Sequence, residues 1–484
     1  TGGQTYSGAV TLTASPTLTA PSGTILFSST VNGAYALTIT NSGGANTGDV
    51  TFTGAVGGTT PLTGITITTD VLTAAAIKST GTLSVTNAGT SSITGIISDG
   101  ASALAVTKAG AGTLTLSGSN TYTGGSVINA GTITAGSSSA NALGTGSITL
   151  GDSSGGSNNA TLLISVTGLT YSNAIVLAST TSGTLSLGNT GTAISTTFSG
   201  GITGTNNLTI NSNATTGTIT FTTNSINNAG TVTNTGAGSG TTSITAVIGS
   251  NVTNLIQNSS TSSLQISNTS NAYGSTTISL GTLKLGAAAA IPDSSAVSIT
   301  GTLDLNSYSE TVGSITGSGT ITSSATGTPT LTVGSNNSDT TFSGVIQNGI
   351  STVALTKSGS GTLTLSGANT YTGLTTVSAG TLAYGVSNAI YTGAVTVNGS
   401  TAVLALGVYT DTVGGVTLTE GQITGTGSST QGILTGTSYT INPGTGVTVS
   451  VSANLAGAVN LTHSGAGTAN LSGYNAYSGR WSCR

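Results

Sequence analysis

The chain has 484 residues, of which only 3% are charged, with a net charge of -4, 75 glycines, 4% aromatics and no methionine. Soluble globular domains carry about 25% charged residues, so this composition argues against a set of ordinary domains. Disorder is a poor fit too, because six prolines and a small net charge lack the signature of disordered chains.

The chain opens with Gln4-Thr-Tyr-Ser-Gly-Ala-Val-Thr-Leu12, an alternation that suits a half-buried strand. Residues 45–69 continue in the same style, with Gly-Asp-Val-Thr-Phe-Thr-Gly inside them. The dominant signal follows. Lys108-Ala-Gly-Ala-Gly-Thr-Leu-Thr-Leu-Ser-Gly-Ser-Asn-Thr-Tyr-Thr-Gly124 returns as Lys357-Ser-Gly-Ser-Gly-Thr-Leu-Thr-Leu-Ser-Gly-Ala-Asn-Thr-Tyr-Thr-Gly373, and more loosely between His463 and Gly479. Repeats of this kind mean that each unit buries its apolar side against its neighbours.

Gly-Thr steps followed by Leu or Ile recur at Gly112 and Gly131, at Gly281, Gly301 and Gly319, and at Gly361 and Gly380, at intervals of 18 to 20 residues. That interval suits one coil of a β-solenoid. The reading is therefore all-β, a single elongated parallel β-helix over 1–479 with about 20 residues per coil, which gives roughly 24 coils and a rod on the order of 115 Å. Leu114, Leu116, Leu303, Leu305, Leu363, Leu365, Leu404 and Leu406 are the expected inward positions. Charge is scarce because identical charges stacked coil on coil repel.

A longer period overlies the short one. Leu303-Asp-Leu-Asn-Ser-Tyr-Ser-Glu-Thr-Val-Gly313 returns as Leu404-Ala-Leu-Gly-Val-Tyr-Thr-Asp-Thr-Val-Gly414, so the C-terminal half reads as units of about 100 residues. The pairs Asn120/Tyr122, Asn271/Tyr273, Asn369/Tyr371 and Asn475/Tyr477 mark a recurring corner. An exposed aromatic row could stack on sugars. Recurrence favours a structural role, with Asn fixing the corner and Tyr covering the next coil.

The Lys-to-Gly motif resembles the passenger-associated strand repeats of bacterial autotransporters, closely over 104–136 and 353–385 and partly over 460–479. Residues 45–69 are similar to filamentous-haemagglutinin-like surface proteins. The resemblance implies a right-handed parallel β-helix exported to the cell surface, adhesive or matrix-forming. No translocator barrel follows, and Thr1 is neither an initiator Met nor the start of a signal peptide, which reads as a processed or excised segment.

No chemistry stands out. His463 is the sole histidine and occupies the place of Lys108 and Lys357, which reads as a tolerated surface substitution; one His and one Cys provide no metal-ligand spacing. Asp293, Asp304 and Glu310, with Lys284 a coil earlier, are the best carboxylates for glycan chemistry. Glu310 aligns with Asp411, however, which favours turn capping over catalysis. No catalytic, cofactor-binding or metal residue is assigned, and no cofactor is expected.

Six basic residues scattered along the chain make no nucleic-acid footprint, and no apolar run reaches a membrane span. The tail 480–484, with the only Trp and Cys, stands outside the repeat pattern. The expected function is a non-enzymatic cell-surface or extracellular fibre protein. Its expected partners are copies of itself, joined head to tail because Tyr6 opens the chain at nearly the repeat phase at which Tyr477 closes it, together with surface glycans or matrix. The rival readings are a glycan-binding adhesin passenger and a β-helix glycan-processing enzyme.

Overall fold

Alternating apolar and hydroxyl residues dictate short strands, and the glycine steps between them turn the chain back over itself. The computed structural model describes residues 2–41, 47–426 and 428–483; the first two residues of the 45–69 segment and Arg484 lie outside the described residues. The structure is a parallel β-solenoid of about 22 turns at about 22 residues per turn. Among the described residues there is no α-helix, and one 3-10 turn, Ala140–Leu143, is present. Among the described residues, no helix is long and apolar enough to cross a membrane.

Two compact units divide the chain, residues 1–253 and 254–484. In the first unit, Gln4–Tyr6, Ile25–Phe27 and Val50–Phe52 begin a sheet that runs on through Thr113–Leu116 and Gly131–Ala135 to Gly230–Asn234. A second sheet runs from Thr17–Ala20 through Val106–Ala109 and Ser126–Ile128 to Ile202–Gly204. Shorter strands, such as Ile77–Ser79 beside Ile97–Asp99, form a third side. In the second unit, nine strands from Glu310–Val312 to Trp481–Cys483 make one sheet, and seven from Thr340–Phe342 to Thr468–Leu471 make another.

Pairing is parallel and residue for residue. Leu114 registers with Ile133, and Leu363 with Leu382, so equivalent side chains stack. All eight leucines expected inside are at most 1% exposed. Aromatic rings stack the same way. Tyr6, Phe27 and Phe52 form a column with centroids 4.7 and 4.8 Å apart.

Coils are longer than the motif spacing implies because corner segments protrude between strands, as in 136–147 with its 3-10 turn. The tail, read above as departing from the pattern, contributes strand Trp481–Cys483, paired with Leu461–His463. The likeness between the two chain ends is corrected by the topology. Tyr6 lies in the sheet that contains Thr113–Leu116, whereas Tyr122 follows that strand; Tyr477 likewise follows Thr468–Leu471. The letters match, but Tyr6 faces the interior column and not the Asn-x-Tyr corner.

Candidate functional site

The Asn-x-Tyr corners are built across coils. Asn120 Oδ1 accepts from the Ile97 N–H at 2.7 Å, and its Nδ2 donates to the Ala142 carbonyl at 2.6 Å. These partners lie one coil earlier and one coil later. Asn369 does the same with the Ile346 N–H at 2.8 Å and the Ala389 carbonyl at 2.7 Å. Asn271 donates to the Ala290 carbonyl at 2.8 Å, and exposed Asn475 accepts from the Leu455 N–H at 3.0 Å.

Beside these amides, Tyr122, Tyr273 and Tyr371 are buried, with hydroxyls bonded to Ser126 (2.6 Å), Thr276 (3.2 Å) and Thr375 (2.8 Å). Burial pushes the Tyr122, Tyr273 and Tyr371 hydroxyls far up from their ordinary range. A tyrosine ring with no exposed face cannot stack on a sugar. Tyr477 is half-buried, its ring 6.4 Å from that of Tyr439.

Carboxylates meet the same corners from the opposite side. Glu310 Oε2 accepts from Ala290 N–H (2.9 Å) and Ile291 N–H (3.3 Å), and Oε1 from Thr311 N–H (3.2 Å). Asp411 accepts from Ile390 N–H (2.9 Å) and Thr412 N–H (2.7 Å). A protruding segment is thus held between Asn below and acid above, in 271/290/310 and again in 369/389/411. Both carboxylates are buried, and among the described residues neither has a salt-bridge partner. Desolvation raises Glu310 to about 7 and Asp411 to about 6, against the opposing pull of the backbone N–H groups.

Asp304 belongs to a different arrangement. It shares the outward row of its sheet with Lys284, whose Nζ lies 3.8 Å away, and it accepts from Asn306 N–H and from Ser324 N–H and Oγ. Glu310 points inward, in the row of Leu331 and Leu355. The two best catalytic candidates therefore face opposite sides of their strands. Among the described residues, no group of three or more His, Cys, Asp or Glu is placed to hold a metal ion.

Sequence reasoning missed the lysines. Lys108 is fully buried, and its ammonium donates to the carbonyls of Ala109 (2.6 Å), Gly110 (2.7 Å) and Ala130 (3.2 Å). Lys357 repeats this with Ser358 (2.6 Å), Gly359 (2.9 Å) and Ala379 (3.2 Å). Burial lowers both to about 8. The available signal was an identical lysine ahead of an identical glycine step. Gly131 shows how tight the knot is. At φ +73, a Cβ there would sit 2.4 Å from two carbonyl oxygens and 2.9 Å from Lys108 Nζ.

His463 is corrected accordingly. Its position is interior in the other two copies, and only here is it half-exposed, with Nδ1 3.8 Å from the exposed Cys483 Sγ. Two ligands without a third carry no metal chemistry.

Residues 106–135, 355–383 and 461–482 match the passenger-associated-transport-repeat family model. No curated protein and no solved structure matches the chain. The three matches and the β-solenoid fit an autotransporter passenger with strand repeats.

Proposed function

We propose that this chain is the surface-displayed passenger of an autotransporter-type protein, acting as a non-enzymatic structural or adhesive solenoid. The repeat family implies a secreted or outer-surface location. What carries the structural reading is that each conspicuous charged group of the repeats is used in holding the coils. Lys108 and Lys357 bind carbonyls, while Glu310 and Asp411 bind amide N–H groups.

Self-association, head to tail, is the finer part of the reading. Its support is physical. A net charge of -4 over 484 residues provides little repulsion between copies, and strand addition at an open coil satisfies edge N–H and C=O groups. Since Tyr6 lies in a sheet strand and Tyr477 at an Asn-x-Tyr corner, the joint is made by backbone pairing and not by matching repeat letters.

The test has two arms. Protease shaving of intact cells expressing the full-length protein should release these repeats, and protection from protease would overturn surface display. Purified chain should form fibres visible by negative stain, shortened or abolished on deleting residues 1–12. A monodisperse monomer, or unchanged fibres after the deletion, would reject head-to-tail joining. For the rival enzyme, any glycosidase or lyase activity lost in Asp304→Asn/Glu310→Gln would replace the structural reading.

A further inference from the structure

The nine-stranded sheet of the second unit carries an unbroken hydroxyl row on its outer side. The row begins at Thr311 and ends at Ser482, and all seven register partners between them, from Thr332 to Thr462, are threonine. Each member is half-exposed. Among the described residues, no hydroxyl of this row from Thr311 to Thr440 is bonded to another protein group.

Two residues beyond this row, just past the strand ends, comes a second row. Ser358, Ser378, Asn398, Thr419, Asn442 and Ser464 each donate their backbone N–H to the preceding coil at 2.8 to 3.1 Å, which prolongs the ladder. Three of these side chains also lean back on that coil, Ser358 on the Val333 carbonyl, Ser378 on that of Lys357 and Thr419 on that of Val397. Neither row contains a charge or an aromatic ring.

The spacings follow from the fold. Successive coils stand about 4.8 Å apart, and outward residues two apart on a strand lie roughly 6.6 Å apart. β-Branched threonine has a restricted χ1, so its methyl and hydroxyl keep one arrangement from coil to coil. A row of methyls and hydroxyls held in this way suits ordered water, with the hydroxyls as hydrogen-bonding anchors. The coil spacing is close to a repeat distance between water oxygens in hexagonal ice. Little ordering entropy is lost when such a surface binds, because the rows are already fixed.

We propose that the Thr311–Ser482 face is a water-ordering surface that binds ice. Ice is favoured over a polysaccharide chain because neither row offers a ring on which a sugar could stack or a charged group to orient it. This inference is independent of export and of self-association.

The test uses the full chain. Expected results are thermal hysteresis in a nanolitre osmometer, with crystal shaping, and enrichment of the chain in a slowly grown ice hemisphere. The double variant Thr376→Lys/Thr396→Lys places two long charged side chains mid-row and should lose most of both signals, with circular dichroism unchanged. Thr417→Lys serves in its place if the double variant misfolds. Thr197→Lys, on an outward row of the first unit, should leave both signals intact. No hysteresis and no enrichment for the intact chain would overturn the proposal, as would equal signals from the row variants. Retention on crystalline cellulose or chitin without ice activity would assign the face to glycan instead.

Discussion

Glu310 and Asp411 do the same work in successive repeats. Each reaches back one coil to the amide N–H of the corner segment, at Ala290 and at Ile390, both at 2.9 Å. Both acids are buried and have no cation in a salt bridge among the described residues. Ionised, each costs desolvation that the unfolded chain does not incur.

The pH dependence follows with a definite sign. Both folded-state values are raised, to about 7 for Glu310 and about 6 for Asp411, so the stability from proton uptake is fully present below the unfolded values and is lost as pH rises through 6 to 7. Urea unfolding should show a gain on the order of 1–3 kcal/mol per carboxyl between pH 8 and pH 5. Glu310→Gln with Asp411→Asn should flatten that slope. An unaltered slope in the double variant would assign it elsewhere.

The lysines add the opposite trend at higher pH. Lys108 and Lys357 are lowered to about 8 by burial, so the folded state releases their protons first, and stability rises with pH from about 8 to the unfolded lysine range. Lys357→Met strands three carbonyls and should cost about 1–3 kcal/mol near neutrality. It should also remove its share of the alkaline gain in the same titration.

Asn369 ties three coils together, so Asn369→Ala removes two inter-coil bonds at once. The expected loss is about 2–4 kcal/mol. Hydrogen exchange should report it locally, with the Ile346 amide losing protection well before amides in distant coils.

Leu365, fully buried between Phe342 and Tyr384 in register, tests the core. Leu365→Asp buries an unpaired charge and should cost several kcal/mol. A melting temperature within a few degrees of the parent would mean that the position is not interior.

The alternation of Leu with Thr made the strands and their inward faces legible, since period two leaves no other choice for a coil buried on one side. Leu114, Leu363 and Leu404 illustrate this. The Glu310–Asp411 alignment likewise pointed to backbone capping. Lys108 and Lys357 were not legible as interior, because a lysine ahead of a glycine step normally signals a solvated turn; only the three-dimensional return of the chain brings Ala130 and Ala379 over them. The coil length was underestimated because the motif marks the most compact turns. The phase of Tyr6 is not legible because Tyr-Ser-Gly occurs both at the end of a sheet strand and at an Asn-x-Tyr corner.

Asn120 and Asn369 each reach one turn back and one turn forward. Cutting the chain at one of these two corners and rejoining it at the other would therefore recreate both amide bonds, whereas a cut displaced by half a turn would leave the amide facing the wrong backbone. Whole turns can be gained or lost in recombination without repair elsewhere, so the length of such a chain is free to drift while its cross-section is not.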